Sequence, residues 1–316
     1  MIDVVALGEL VIDFAPVGTD KSGYPTLAAK PGGAPCNYLA ALTAYGASTA
    51  FIGKVGTDTF GKLLIGTLKD AGIETKGIIQ DSSVFTTLAF VTLDSGGNRE
   101  FSFSRKPGAD TCLCFDEVNL NLIDEAKVFH FGTLSLTNNP AREATHKTVE
   151  YAKKQNKLIT FDPNLRRTLW ENLSDAKEQI LWGLSRADIV KISDEEVEFL
   201  WGCSSEEAGS KLIYEFNVRL AMLTLGPNGC VILNKNAAAK AVCPPVKVVD
   251  TTGAGDIFGG SAVSRFLKYG KAPEELTQPE LLGIAEFATV AASLSTQTPG
   301  GIPSIPSLEE VNKISR

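Results

Sequence analysis

The sequence predicts an α/β fold with a mainly parallel sheet covered by helices on both faces, and three observations carry that prediction. From about residue 128, apolar strand-like runs alternate with helix-length segments. The opening stretch, residues 2–8 (IDVVALG), reads as a buried strand that stops at a glycine. Acidic, basic and glycine-rich residues recur where the strands should end, which is the edge at which a doubly wound sheet binds ligands.

Composition narrows the class. A length of 316 residues suits one large domain, or one domain with a smaller appendage. Hydrophobic residues make up 44% and charged residues 21%, so core material is ample. A formal net charge of −7, with no long Lys/Arg run, argues against a nucleic-acid partner. Six scattered cysteines and two histidines offer no zinc spacing, and they read as free thiols in a reducing compartment. No basic leader followed by an apolar stretch is present, nor any apolar run of membrane-spanning length. The expected setting is cytoplasmic, with no membrane partner.

In chain order, Glu9 and Asp13 follow the first strand, where carboxylates can accept bonds from sugar hydroxyls or simply be solvated. Residues 14–30 hold Pro, Gly and short β-prone pieces, which predicts a small β excursion. Gly32-Gly33 then leads into a small-residue helix closed by Gly46. Paired glycines let a ligand approach the backbone, and Asn37 in the first turn offers both a donor and an acceptor. A plain loop-to-helix junction fits these residues equally.

Residues 49–55 form the next strand. Gly56 to Leu63 nearly spells a P-loop, but Leu63 stands where Ser or Thr must bind magnesium, so Asp58 is read as a helix cap instead. Residues 84–93 and 100–105 predict a hairpin around the turn signal Asp94 to Asn98. Period two places Phe101, Phe103 and Arg105 on one face, either as core or as the underside of a cover over a polar ligand.

Strands are then expected at 128–132, 157–162, 187–192, 219–225 and 229–233, with helices near 140–155, 174–186 and 205–216. Polar ends follow several of them: Asp162 to Arg166, Lys191 to Glu196, and Thr224 to Gly229. Near the C-terminus, Asp250 to Ser261 (DTTGAGDIFGGS) places three small residues before Asp256 and a helical run. Such a turn can aim N–H groups at an anion, and a carboxylate beside it can take a proton from an attacking hydroxyl. A glycine-rich helix entry capped by Asp256 is the alternative. Helices are expected from Asp256 to about Gly270 and from about Leu281 to Ser295, ending before Thr298 to Pro303.

Two stretches together resemble one family. Gly-Gly-x-x-x-Asn followed by Gly-x-x-Gly-x-Asp-x-x-Gly lies between Gly32 and Lys62, and the second stretch is Asp250 to Asp256. This pairing resembles the ribokinase-like (PfkB) carbohydrate kinases over nearly the whole chain. The opening Gly8 to Phe14, together with Phe101 to Asp110, looks most like the fructokinase branch.

The resemblance implies one three-layer α/β/α kinase domain over 1–316, with a small β-sheet lid from insertions near 14–30 and 85–106. It implies Asp256 as catalytic base and the backbone of Gly253, Ala254 and Gly255 as anion hole. Asp13, Gly33 and Asn37 would grip sugar hydroxyls; Phe101 and Phe103 would lie over them, and Arg105 and Arg166 would match sugar-site arginines. Lys191, Ser193, Thr224, Gly226, Gly229 and Thr289 fall in stretches that bind ATP. Glu196 would help place Mg²⁺ indirectly, and Asp250, Thr252, Gly300 and Ser304 would surround a K⁺ ion. Ser193 and Thr289 stand where relatives carry Asn.

The implied activity is ATP-dependent phosphorylation of a ketohexose such as D-fructose, with pairing of lids into a homodimer. A 2-keto-3-deoxygluconate kinase is the rival within the family, because Arg105 and Arg166 can pair with a substrate carboxylate. A catalytically silent sugar sensor on the same fold is a further alternative. A dinucleotide-dependent oxidoreductase is disfavoured because Gly-x-Gly-x-x-Gly is missing after the first strand.

Overall fold

The computed structural model describes residues 1–93 and 99–315. The first part of the chain forms β1 (Ile2–Leu7), β2 (Val11–Thr19), β3 (Pro25–Gly32), α1 (Ala34–Ala44), β4 (Thr49–Gly56), α2 (Thr59–Asp70) and β5 (Glu74–Asp81). There follow β6 (Leu88–Leu93), β7 (Arg99–Ser104), α3 (Leu120–Glu125), β8 (Ala126–Gly132), α4 (Ala141–Lys154), β9 (Leu158–Asp162) and α5 (Leu173–Leu184). The last part holds β10 (Ile189–Ser193), α6 (Asp194–Trp201), α7 (Ser205–Tyr214), β11 (Leu220–Thr224), β12 (Cys230–Leu233), β13 (Ala238–Ala241), α8 (Ala254–Tyr269), α9 (Gln278–Ser295) and α10 (Leu308–Ile314).

One sheet has nine strands in the order β13-β12-β11-β10-β9-β8-β1-β4-β5. It is parallel except at one end, where β11–β12 and β12–β13 pair antiparallel. Its strands read as continuous apolar runs because both faces are covered. Along β1, Val5 and Leu7 join a core with α4, α5 and α7, while Val4 and Ala6 join the opposite core with α1, α8 and α9. The three-layer architecture follows from that alternation. β1 lies between β8 and β4, so the chain leaves it in opposite directions, and the crevice beyond its C-terminal end is a switch point.

A second sheet, β3-β2-β6-β7, rises from the same edge. The expected excursion at 14–30 is the β2–β3 pair, and the expected hairpin is β6–β7. Its turn at 94–98 and the side chain of Phe101 lie outside the described residues. Residues 84–87 do not extend β6, because Thr86 bonds to the Gly56–Asp58 corner instead and the Phe85 carbonyl accepts the Ala109 N–H. That corner is a helix cap and not a phosphate loop: Asp58 accepts from the N–H groups of Phe60, Gly61 and Thr86.

Most expected elements lie within two or three residues of their observed bounds. Helix α9 starts earlier than its apolar pattern, at Gln278, because Thr277 and Glu280 close a capping box there. Strand β5 and edge strand β13 carried no signal strong enough to be expected.

Helices α1 and α8 pack closely at Gly260. A Cβ at Gly260 would stand 2.3 Å from the Tyr38 carbonyl oxygen, so only glycine permits this approach. The close crossing brings the first turn of α1 against the first turn of α8, and the candidate site is built on that contact.

Candidate active site

A cavity of about 480 Å³ opens beyond the C-terminal end of β1, between the large sheet and the small one. Glu9, Asp13, Gly33, Asn37, Phe103, Arg166, Gly253 and Asp256 are among the residues lining it. Seven of these eight were expected as sugar-site, anion-site or base residues, although they come from segments as much as 243 residues apart. The eighth, Glu9, was raised with Asp13 as a carboxylate beyond the first strand, able to accept from sugar hydroxyls or simply to be solvated.

Asp256 sits in the first turn of α8 and is 7% exposed. Asn37 Nδ2 donates to its Oδ2 at 2.9 Å, and Asn164 Nδ2 donates to its Oδ1 at 3.3 Å. Burial raises its pKa above the ordinary aspartate value, while the Asn37 bond and the nearby cations Arg166 and Lys191 work in the other direction. The result is a carboxylate fixed at both oxygens, facing a polar cavity and more basic than a solvated one.

The turn ahead of it can receive an anion. Gly253 has φ 77°, a left-handed conformation that glycine adopts without penalty, and it caps α8 with no side chain in the way. Ala254 N–H bonds back to Thr251, whereas the N–H groups of Gly255 and Asp256 meet no protein acceptor among the described residues. Such orphan donors at the positive end of a 16-residue helix favour negative charge.

Lys191 lies behind this turn. Its Nζ stands 3.0 Å from where a Gly255 Cβ would be and pairs with Asp162 at 3.2 Å. Burial opposes the ammonium, but Asp162, Glu196 and Asp256 together hold its pKa above the ordinary value. Burial pushes the Asp162 carboxyl up against the opposing pull of Lys191.

Asp13 and Gly33 form the sugar-side wall. Gly33 caps α1 next to Glu9, whose Oε1 accepts the Ala34 N–H at 2.8 Å. Burial raises Asp13 to about 6 and Glu9 to about 7, with Arg166 pulling Asp13 back down. Glu9, 3% exposed, thus serves both as the anchor of α1 and as cavity wall.

Other expected residues are placed differently. The expected inward face of β7 holds, since Phe103 and Arg105 are covered while Ser102 and Ser104 are exposed. Arg105, however, is not a lining residue. Its guanidinium pairs with Asp110 at 2.6 Å and donates to Thr137 Oγ1 and the Leu134 carbonyl, so its donors are spent in a buried knot behind the wall. Thr289 is 3% exposed and its hydroxyl meets Cys230 Sγ at 3.3 Å, between α9 and β12. Thr224, Gly226 and Gly229 mark the end of β11 and the turn into β12.

Ser193 and Glu196 form a capping box at the start of α6, and Glu196 Oε1 also accepts the Leu165 N–H at 2.8 Å. Both its oxygens therefore accept from main-chain donors. Asp250 ties two loops together by accepting from Thr252 N–H at 2.8 Å and Gly300 N–H at 3.0 Å. These three residues line one cavity of about 240 Å³ with Gly301. Ser304 lies beside it, donating to the Gly301 carbonyl. Asp250 and Thr252 bring a carboxylate and a hydroxyl to this cavity, and Lys30 also lines it. Among the described residues, no cluster of three or more His, Cys, Asp or Glu could cage a metal.

Asn164 was not singled out beforehand, although it bonds the candidate base directly. The available signal was the Asp162-Pro-Asn164 spacing at a strand end, where Asn commonly bonds back into a turn.

This fold and this site define a phosphoryl-transfer architecture for a polar, sugar-sized acceptor. The family model described as pfkB family carbohydrate kinase matches residues 1–308. Fructokinase-1 of Zea mays is 40% identical over 311 residues, which is 98% of this chain and 96% of the relative. The fructokinase of Xylella fastidiosa with bound ATP superposes with a TM-score of 0.90 at 27% identity, covering 99% of this chain and 98% of the other. A double mutant of the Vibrio cholerae O395 fructokinase, in its fructose, ADP and potassium ion bound form, gives a TM-score of 0.87 at 29% identity, covering 100% and 99%. The chain belongs to the pfkB family of carbohydrate kinases.

Proposed function

We propose that this protein is an ATP-dependent kinase that phosphorylates the primary 6-hydroxyl of D-fructose, with Asp256 as general base. The observation that carries the reading is Asp256 itself. It is a buried carboxylate held at both oxygens, at the wall of a polar cavity and at the head of a helix with open amides. Its side chain takes the hydroxyl proton as the sugar oxygen bonds to the γ-phosphorus, and the bond from that phosphorus to the bridging oxygen breaks, releasing ADP. The N–H groups of Gly255 and Asp256, open at the start of α8, face the charge on the transferring group, whereas the Ala254 N–H is bonded back to Thr251. Magnesium accompanying ATP supplies charge neutralisation at the phosphates. Asp13, Gly33 and Asn37 bind and orient the sugar, and Phe103 covers it. Arg166 reaches toward the reacting end.

Within this reading, residues 1–316 are one catalytic domain, and the β3-β2-β6-β7 sheet is a lid that excludes water from the phosphoryl donor. Lys191 and the Thr224–Gly229 and Thr289 stretches serve ATP. The Asp250, Thr252 and Gly300 cavity holds K⁺, in keeping with the potassium named for the Vibrio cholerae relative. All six cysteines are free thiols, which fits a cytoplasmic setting.

The cavity supports a neutral sugar over a sugar acid. Glu9, Asp13, Glu195 and Asp256 line it against a single arginine, Arg166, and Arg105 is engaged elsewhere. A carboxylate substrate would meet repulsion where a polyol finds acceptors. Steady-state phosphorylation of a sugar panel, with and without K⁺, tests this. The kcat/KM for fructose is expected to exceed that for 2-keto-3-deoxygluconate by at least about tenfold. Faster turnover of the sugar acid would replace fructose as the substrate.

A homodimer joined through the lids is the second part of the reading. Val17 is 60% exposed, Tyr24 70% and Leu27 37%, all on or between β2 and β3. Sedimentation velocity at micromolar concentration is expected to give a dimer, and Tyr24→Lys to give a monomer. A monomer for the parent chain would remove it.

A further inference from the structure

We propose that Asn164 is a positioning residue that couples Arg166 to Asp256 and holds the carboxylate in its proton-accepting state. Three bonds pin it. Its main-chain N–H donates to Asp162 Oδ1 at 3.2 Å, its Oδ1 accepts Arg166 Nη1 at 2.6 Å, and its Nδ2 donates to Asp256 Oδ1 at 3.3 Å. The arginine can only donate, so it fixes which end of the amide is oxygen and turns the NH₂ toward the carboxylate. The neighbouring N–H, on Leu165, is held by Glu196, which fixes the segment from its other side.

The backbone singles out this residue. Asn164 has φ 43° and is 9% exposed. A non-glycine residue in the left-handed region is uncommon, and asparagine tolerates it better than most. The conformation aims a short amide between two functional groups, which an extended residue at this point would not do. Asn37 supplies the matching donor on the other oxygen. Asp256 therefore sits between two amides, and only the one from Asn164 is linked onward to a cation.

The surrounding charges make such a donor matter. Arg166 and Lys191 face Asp256 as cations, while Glu196, Asp13, Asp162 and Glu9 face it as carboxyls, with the Cys36 thiol on α1 nearby. Carboxyls outnumber cations, and burial adds to their effect in favouring the protonated form. A donor on Oδ1 favours the ionised form that a base requires. When an incoming substrate draws on Arg166, the change reaches Asp256 directly through the arginine's charge and also through the Asn164 amide.

The inference rests on Asp256 as base, and the experiment separates the two. Asn164→Asp keeps the left-handed tolerance and the acceptor for Arg166, but replaces the donor with a like charge. Asn164→Gly keeps the backbone and removes the amide. The pH profile of kcat with saturating fructose and Mg·ATP is expected to show its acid limb displaced upward in both variants, by one pH unit or more in Asn164→Asp. The kcat at pH 7 should fall at least tenfold in Asn164→Asp, with KM for ATP within threefold of the parent. Acid limbs that coincide with the parent's in both variants would overturn the role of Asn164, as would a pH-independent loss that tracks a lowered Tm. If Asp256→Asn itself retained turnover, the base assignment would fail first; if that variant is inert and the acid limbs do not move, only Asn164 loses its role.

Discussion

Asp256→Asn is expected to lower kcat by roughly 10²–10⁴-fold while leaving the fold and the fructose affinity close to the parent's. The amide has nearly the same shape, so α8 still starts at the Gly253 turn, but it cannot take the hydroxyl proton. Folding should not suffer, because burial already raises the carboxyl's pKa and works against its charge in the free protein. One contact does change: an NH₂ group must now face one of the donors from Asn37 and Asn164. A coupled assay for ADP reads the first effect and titration calorimetry with fructose reads the second. Near-normal turnover would sink the assignment of the base.

The second large effect is on stability. Lys191→Met removes the cation paired with Asp162 and leaves that carboxyl buried with no counter-charge. Breaking a buried pair from one side destabilises by about 3–5 kcal/mol, far more than losing a surface ion pair. Lys191 also lies behind Gly255, so the affinity for ATP should weaken with it. The double variant Lys191→Met/Asp162→Asn should recover part of the stability, since the directly paired carboxylate is neutralised although Glu196 and Asp256 still lack the cation, without recovering ATP binding. Denaturant titration of the three variants checks this. Stability of the single variant within about 0.5 kcal/mol of the parent would show the pair to be dispensable.

Both predictions rest on contacts that differ in how readable they were beforehand. The turn at Gly253 to Asp256 was legible because small residues followed by a carboxylate and an apolar helix form a local pattern. The polar strand ends were legible for the same reason, since a strand's apolar run and the residue that stops it are neighbours in the chain. Arg105 shows the limit. Period two placed it correctly on the inward face of β7, yet Asp110, five residues on, captures it before it reaches the cavity. Thr289 likewise lies in the expected stretch but spends its hydroxyl on Cys230. For Ser193 and Glu196, the capping box could be read from four residues, whereas the reach of Glu196 to Leu165 could not.

The sequence by itself determined the α/β alternation, the two small antiparallel excursions, the family pattern and the identity of the carboxylate at the head of α8. Backbone periodicity and turn chemistry are local, so they survive in a one-dimensional reading. Only the tertiary structure decided which side chains meet Asp256. Asn37 reaches it across 219 positions because Gly260 lets α1 and α8 cross without a side chain between them. Asn164 reaches it because one left-handed residue after β9 turns its amide inward. Which groups converge depends on how closely helices pack and on a single backbone angle, and neither is a property of any short stretch of chain.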